Sequence, residues 1–194
     1  MSHDHLVFKT VNDELIYDAR IFHLKKSHRV SPEGQNLSFS IVDSPDWANV
    51  IPLVKDSLGK DAFLMVKQFR HGSEQIVLEF PGGMVDQGEE PLAAAYRELR
   101  EETGYHPGQL IKIGEVNPNP AFMTNTLHSF VALDLDKRYV QELDEDERVD
   151  VEIVPVERVY REMGTGIFNH GIMLITLWWY RKWKDQGGVQ GITP

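Results

Sequence analysis

The chain has 194 residues, of which 41% are hydrophobic and 26% are charged, and its formal net charge at pH 7 is −10. This composition is ordinary for a globular protein of one domain, or of one domain with a small appendage. The acidic balance argues against a nucleic-acid partner, which requires a basic surface, and the absence of cysteine excludes disulfides and thiolate metal sites.

The first 43 residues are rich in predicted strands. Leu37, Phe39 and Ile41 alternate with serines, a period of two that is typical of a half-buried strand. A turn at 31–34 joins this strand to an extended segment around 17–26, and Asn12-Asp13 indicates an earlier turn after 7–11. Three short strands are too few to be stable alone, so we predict that residues 1–43 form a β subdomain that packs on the rest of the chain or on a second subunit.

Ser44-Pro45-Asp46 marks the predicted boundary of a second domain, residues 44–186, and residues 187–194 are predicted to be a loose tail. In this domain the pattern predicts strands at 48–54, 63–69, 76–80, 111–116, 127–133 and 149–154, and helices at 91–103, 156–163 and 171–184.

The N-terminus lacks the apolar run of a signal peptide. The longest apolar stretch, 172–180, is about half as long as a membrane span. We therefore expect a cytoplasmic protein without a membrane partner.

Three glutamates lie close together on the predicted helix at 91–103. Pro91 suits a first helical turn and Gly104 suits the left-handed residue that ends a helix. Residues three and four apart share a helix face, so Glu98 lies beside both Glu101 and Glu102. A solvated surface is one interpretation of these charges, and a site for a hard divalent cation such as Mg²⁺ is the other.

The preceding residues favour the second interpretation. Leu78-Glu79-Phe80-Pro81-Gly82-Gly83 predicts the end of a strand followed by a glycine-rich loop. The complete pattern is Gly83, five residues, Glu89, seven residues, Arg97-Glu98, the hydrophobic Leu99, one residue, Glu101-Glu102, one residue, Gly104 and the hydrophobic Tyr105. This pattern resembles the Nudix box at every fixed position.

The resemblance implies a hydrolase of nucleoside diphosphates linked to another moiety, built as an α/β/α sandwich around a mixed β-sheet. It also implies that Mg²⁺, or Mn²⁺ in its place, is held by Glu98 and Glu102, with Glu101 sharing the metals and the carbonyl of Gly82 as a further ligand. Arg97, paired with Glu89, would keep the glutamates aimed. The N-terminal β segment resembles the extra subdomain of the ADP-ribose pyrophosphatase branch, and this implies a homodimer.

The same branch takes its catalytic base from an acidic loop far downstream of the box. Asp144-Glu145-Asp146-Glu147 lies in the matching place, directly before a predicted strand. The spacing favours Glu147, with Glu145 as the alternative and Glu101 of the box as the next candidate. A solvated acidic loop without a catalytic role is the competing interpretation.

Four further residues are candidates for substrate binding. Arg70 ends the Gln-aromatic-Arg motif of this branch, and its planar guanidinium suits two oxygens of a pyrophosphate, although a surface arginine at a strand end is the alternative. Glu79 would hold a ribose hydroxyl, orient Arg70, or serve as a buried structural partner. Pro120 lies where a proline marks ADP-ribose hydrolases, but the usual Ser-Pro-Gly is Asn-Pro-Ala here. Phe22, contributed from a partner subunit, is a candidate platform for the nucleobase of the substrate.

These observations predict a metal-dependent pyrophosphatase acting on a small nucleotide sugar, with ADP-ribose the first substrate to test. GDP-mannose or another nucleoside diphosphate sugar is the alternative within the class. A nucleotide-sugar sensor without turnover is the alternative outside it, and the complete set of box glutamates argues against the sensor.

Overall fold

The computed structural model describes residues 3–145 and 147–188, and the chain folds into two compact units. The smaller unit comprises the residues up to Pro45 together with Asn117–Thr126. The larger unit comprises Asp46–Val116 and the chain from Leu127 onward. Of the predicted tail at 187–194, residues 189–194 lie outside the described residues.

The smaller unit is a three-stranded antiparallel sheet in the order β1-β2-β3, preceded by a 3₁₀ turn at Asp4–Leu6. Its strands are β1 (Lys9–Asp18), β2 (His23–Val30) and β3 (Asn36–Asp43). Strand β3 confirms the strand predicted at 37–41, but Leu37 and Phe39 are exposed, so its apolar face is not half-buried. Gly34 takes a positive φ of 87° in the predicted turn before it.

The predicted turn at Asn12-Asp13 is wrong. Strand β1 continues through both residues, and the register shifts there between Thr10 and Asn12. The chain reverses instead at 19–22, where the N–H of Ala19 donates to the carbonyl of Phe22 at 3.0 Å. Asn12 and Asp13, which from sequence alone are typical of a turn, instead pair with His28 and Ser27 of β2, directly after a β-bulge at Val11.

Asn117–Thr126 belongs to this unit because it bonds to the end of β3. The N–H of Val42 donates to the carbonyl of Phe122 at 2.8 Å, and the N–H of Thr124 donates to the carbonyl of Val42 at 3.1 Å. The Thr124 hydroxyl also donates to Asp43 at 2.8 Å. The Pro/Asn-rich segment is therefore fixed by backbone pairing rather than by its own composition.

The larger unit is built on a mixed seven-stranded sheet whose central order is β10-β5-β4-β9-β8, with β6 paired to β5 and β7 paired to β4. Strands β4 and β9 run parallel, whereas the other strand pairs described in this sheet are antiparallel. The strands are β4 (Trp47–Lys55), β5 (Asp61–Arg70), β6 (Gln75–Glu79), β7 (Gly82–Met84), β8 (Tyr105–Val116), β9 (Leu127–Lys137) and β10 (Asp150–Pro155). The helices are α1 (Pro91–Thr103), α2 (Val156–Glu162) and α3 (Gly171–Asp185), with a 3₁₀ turn at Gly166–Phe168 before α3.

Helices cover both faces of this sheet, because neighbouring residues of a strand point to opposite faces. Val50 and Phe130 pack with Ala94, Ala95 and Leu99 of α1. Their neighbours Ile51 and Val131 belong to the other core cluster, with side chains of α2, the 3₁₀ turn and α3. The predicted α/β/α sandwich with a mixed sheet is confirmed. Among the described helices, none has both the length and the apolar character needed to cross a membrane.

Candidate active site

The glycine-rich loop is held against the first strand of the larger unit. Gly82–Met84, predicted as loop, forms the short strand β7 and pairs with Trp47, Ala48 and Asn49. The side-chain amide of Asn49 donates to the carbonyls of Phe80 and Pro81, at 3.1 Å each. A Cβ built on Gly82 would collide with the carbonyl oxygen of Ala48. Gly82 also has a φ of 154°. Glycine is therefore required at this position by both space and conformation.

Helix α1 carries the box glutamates, and its ends are those expected from sequence. Pro91 lies in the first turn, and Gly104 takes a φ of 75° at the C-terminal end. Glu102 is 2% exposed, and its Oε2 accepts a 2.9 Å hydrogen bond from the backbone N–H of Gly82. The side chain of Glu98 is 14% exposed and lies directly against Gly83, where a Cβ would clash with its carboxylate. Helix α1 and the glycine-rich loop are therefore in direct contact through these two glutamates.

Arg97 organises the exposed side of this cluster. Its guanidinium donates to Glu89 at 2.9 and 3.1 Å, to Glu98 at 2.7 Å and to Glu101 at 3.4 Å. A further bond, 3.0 Å long, reaches the carbonyl of Met84. Hydrogen bonds from Arg97 lower the pKa of Glu89. Arg97 therefore has the positioning contacts that the Nudix box implies.

The cluster is electrostatically unfavourable without a cation. Burial raises the pKa of Glu102 well above its ordinary value, and the nearby carboxylates of Glu98, Glu147 and Glu79 raise it further. Burial also raises the pKa of Glu98. The charge and hydrogen bond of Arg97 oppose this shift only in part, and Glu101 and Glu147 make smaller contributions that raise the pKa. Within 3–145 and 147–188, no three His, Asp or Glu side chains form a closed metal-binding cluster. The donor set nevertheless fits a hard divalent cation, because ionised carboxylates buried beside one another require a neutralising charge.

The acidic loop is tied to α1 by Gln141. Its amide donates to the carbonyl of Glu102 at 2.7 Å and to the carbonyl of Val149 at 3.2 Å, so it joins both ends of the loop to the helix. Glu147 is half-buried, and its carboxylate accepts a 3.3 Å bond from the N–H of Asp144. It is close enough to raise the pKa of Glu98 and of Glu102. Glu145 is exposed, and its carbonyl accepts a 3.0 Å bond from Arg148.

A cavity of about 490 Å³ opens beside the glycine-rich loop. Arg70, Glu79, Gly82, Gly83 and His170 are among its lining residues. Glu79 is buried, with Nε of Arg70 2.8 Å from its Oε1 and Nδ1 of His170 3.1 Å from its Oε2. Because Gly82 and Gly83 also contact Glu102 and Glu98, the cavity and the carboxylate cluster share one wall.

Two candidates from sequence, Phe22 and Pro120, lie in the smaller unit. Phe22 is half-buried in the turn between β1 and β2. Pro120 is exposed and lines an apolar cavity of about 330 Å³ together with Phe39 and Phe122. Their roles in substrate binding stay predictions.

The sequence did not single out Asn49, Gln141 or His170. Asn49 had a recognisable signal, since it is the polar residue in a buried apolar run. Gln141 and His170 had none, because each is defined by a partner far away in sequence.

Comparisons with known proteins agree with this geometry. Residues 47–171 match the model of the NUDIX domain. The ADP-ribose pyrophosphatase of Bacillus subtilis (strain 168) is 37% identical over 77% of this chain and 79% of its own. The methanol dehydrogenase activator of Bacillus methanolicus is 34% identical over 74% of this chain and 76% of its own.

A solved structure has the same fold. The crystal structure of an ADP compounds hydrolase superposes with a TM-score of 0.80 and 24% identity, and the match covers 95% of this chain and 98% of that one. The resemblance to the Nudix box is thereby confirmed, and the chain belongs to the NUDIX family.

Proposed function

We propose that the protein hydrolyses the pyrophosphate bond of a nucleoside diphosphate sugar, with ADP-ribose the preferred substrate, to a nucleoside monophosphate and a sugar phosphate. The observation that carries this proposal is the pair of carboxylates formed by the buried Glu102 and the partly buried Glu98, directly behind the loop that lines the cavity. The similarity to the Bacillus subtilis ADP-ribose pyrophosphatase supports ADP-ribose as the substrate.

The residues suited to hold Mg²⁺, or Mn²⁺ in its place, are Glu98, Glu101, Glu102 and the carbonyl of Gly82. When bound, such a cation would polarise the phosphoryl oxygens and neutralise the charge that develops on them. Arg97 would hold Glu98 and Glu101 in orientation, since it already contacts both.

Two residues would act on the substrate and on water. The free nitrogens of Arg70 would bind oxygens of the pyrophosphate, while Glu79 fixes its Nε side. Glu147 would accept the proton of the attacking water on its carboxylate, because the Gln141 contacts place its loop beside α1. Glu145 is the alternative base.

GDP-mannose or another nucleotide sugar remains the alternative substrate. A non-catalytic sensor is a weaker alternative, because the buried carboxylates have no evident use in binding alone. One relative carries the name of a dehydrogenase activator, so proteins similar to this chain are known by more than one role.

We further propose that the protein is cytoplasmic and forms a homodimer through residues 1–43. Strand β1 is exposed along its whole length and carries apolar side chains, among them Leu15, Ile16 and Tyr17. Surface of this kind favours burial against a second subunit. Phe22 and Pro120 would then complete the substrate site.

The test is hydrolysis of ADP-ribose and GDP-mannose with Mg²⁺, with products separated by chromatography. We expect AMP and ribose 5-phosphate from ADP-ribose, at the higher kcat/KM. Binding of both nucleotide sugars without cleavage, in Mg²⁺ and in Mn²⁺, would instead support the sensor.

A further inference from the structure

Glu79 is a buried acid with two basic neighbours on different elements. Its side chain is 2% exposed at the end of β6, and Arg70 from β5 and His170 from the start of α3 face its two oxygens. In the described part of the chain, Arg70 Nε, Glu79 Oε1 and His170 Nδ1 are buried without an aligned hydrogen bond. Buried polar atoms of this kind are normally satisfied, so the group is built for more than packing.

The side chain of His170 contacts Glu79 and does not cap the helix that follows it. It is the N-terminal cap residue of α3, yet its side chain makes no capping hydrogen bond. Its ring turns towards Glu79, with Nδ1 buried, and the 26% of the side chain that stays exposed lines the cavity.

The carboxylate decides which ring nitrogen carries the proton. A carboxylate can only accept, so the 3.1 Å approach of Nδ1 to Oε2 of Glu79 favours the tautomer that carries the proton on Nδ1. Burial lowers the pKa of His170 and, with a smaller contribution from the charge of Arg70, outweighs the opposing charge of Glu79, so the neutral ring is favoured. In a neutral ring protonated on Nδ1, Nε2 is an acceptor.

We propose that His170 is a specificity-determining residue that accepts a hydrogen bond from a sugar hydroxyl of the substrate. The proposal rests on the proposed function, because it assigns a second contact to the same nucleotide sugar. An ionised phosphate oxygen has no proton to donate, so it fits Arg70 but not Nε2 of His170. A hydroxyl on the sugar next to that phosphate has such a proton.

The experiment compares substrates with and without hydroxyls on each sugar. One analogue carries 2′,3′-dideoxyadenosine in place of adenosine. The other is ADP esterified to tetrahydrofurfuryl alcohol, which keeps the terminal furanose ring but lacks its hydroxyls. Each is compared with ADP-ribose in the wild type, in His170→Phe and in the control variant His106→Phe, whose ring contacts Tyr96 and is not among the cavity-lining residues.

In the wild type and in His106→Phe, one analogue should lose about five- to tenfold in kcat/KM, the value of one neutral hydrogen bond. His170→Phe should lose a similar factor with ADP-ribose and nothing further with that analogue. The analogue whose loss of kcat/KM disappears in His170→Phe identifies the sugar whose hydroxyl binds His170. A penalty that persists in His170→Phe, or a wild type indifferent to both analogues, would overturn the proposal. His170→Leu replaces the Phe variant if that variant does not fold.

Binding separates this proposal from the proposed function. Analogues with a methylene bridge in place of the pyrophosphate oxygen are titrated calorimetrically in EDTA, and the same five- to tenfold pattern in Kd is expected. A wild type that shows this pattern but hydrolyses none of the nucleotide sugars would refute the hydrolase and keep His170. A wild type that hydrolyses ADP-ribose without the pattern would refute His170 alone.

Discussion

The backbone N–H of Gly82 donates a 2.9 Å hydrogen bond to Oε2 of Glu102. This bond joins the glycine-rich loop to the last turn of α1, and it holds a carboxylate that is otherwise disfavoured by burial. The Glu102 carboxyl group is therefore held in position before any cation or substrate binds, and preorganised electrostatic catalysis requires groups fixed in this way.

Replacing Glu102 or Glu98 with glutamine should lower kcat by two or more orders of magnitude, equivalent to about 3 kcal/mol. The substitution keeps side-chain size but removes the charge that a metal ligand needs. Steady-state hydrolysis of ADP-ribose at saturating Mg²⁺ measures it, with Glu90→Gln at the exposed helix start as the control. Near-normal activity of Glu102→Gln would remove it from the ligand set.

In the metal-free protein, the contribution of Glu98 and Glu102 to the free energy of unfolding should fall as the pH rises. Because burial raises the pKa of Glu98 and Glu102, the folded state binds their protons more tightly than the unfolded chain. The cost of ionising them is absent below the ordinary glutamate value of 4.5 and is complete above the raised pKa. Denaturant unfolding in EDTA should thus find Glu102→Gln more stable than the wild type at pH 7 and equally stable near pH 4. Equal stability at both pH values would contradict this.

Glu147→Gln should reduce kcat strongly and change KM little, because proton transfer matters in the transition state. Glu145→Gln is the matched control in the same loop, since its side chain is exposed. Steady-state kinetics on both variants shows which of the two glutamates is the base. A disabled Glu145 variant beside an active Glu147 variant would show that the base is Glu145.

Gly82→Ala should destabilise the larger unit by about 1–3 kcal/mol, since the new methyl group meets the backbone of Ala48. Thermal unfolding measures the change. Gly171→Ala is the control, because a Cβ there meets no described atom within 4 Å. Equal melting temperatures for the two variants would mean that the loop moves aside at no cost.

Static light scattering should give about twice the 22.2 kDa mass of one chain. The exposed apolar residues of β1 are the reason, and Leu15→Glu with Tyr17→Glu should shift the protein towards a monomer. A wild-type monomer that retains full activity at nanomolar concentration would count against the dimer.

What the sequence by itself determined is local. Pro91 and Gly104 define the ends of α1. The ring of proline fixes a φ that suits the first helical turn, and glycine, which has no Cβ, adopts the left-handed conformation that ends a helix. The i, i+3 and i+4 spacing then places Glu98 beside Glu101 and Glu102 wherever the helix lies. The alternation of Leu37, Phe39 and Ile41 likewise predicts β3, since a strand has a period of two.

What only the tertiary structure decided depends on partners distant in the chain. Asn12 and Asp13 became part of strand β1 because β2 pairs with them, and Gly82–Met84 became strand β7 because β4 pairs with it. Glu79 was open to several roles until burial placed it between Arg70 and His170, which are 100 residues apart in the numbering. Gln141 and His170 carry no local signal, since a hydrogen bond or an ion pair across the fold leaves no periodicity in sequence. Long-range contacts choose among the conformations that local chemistry allows.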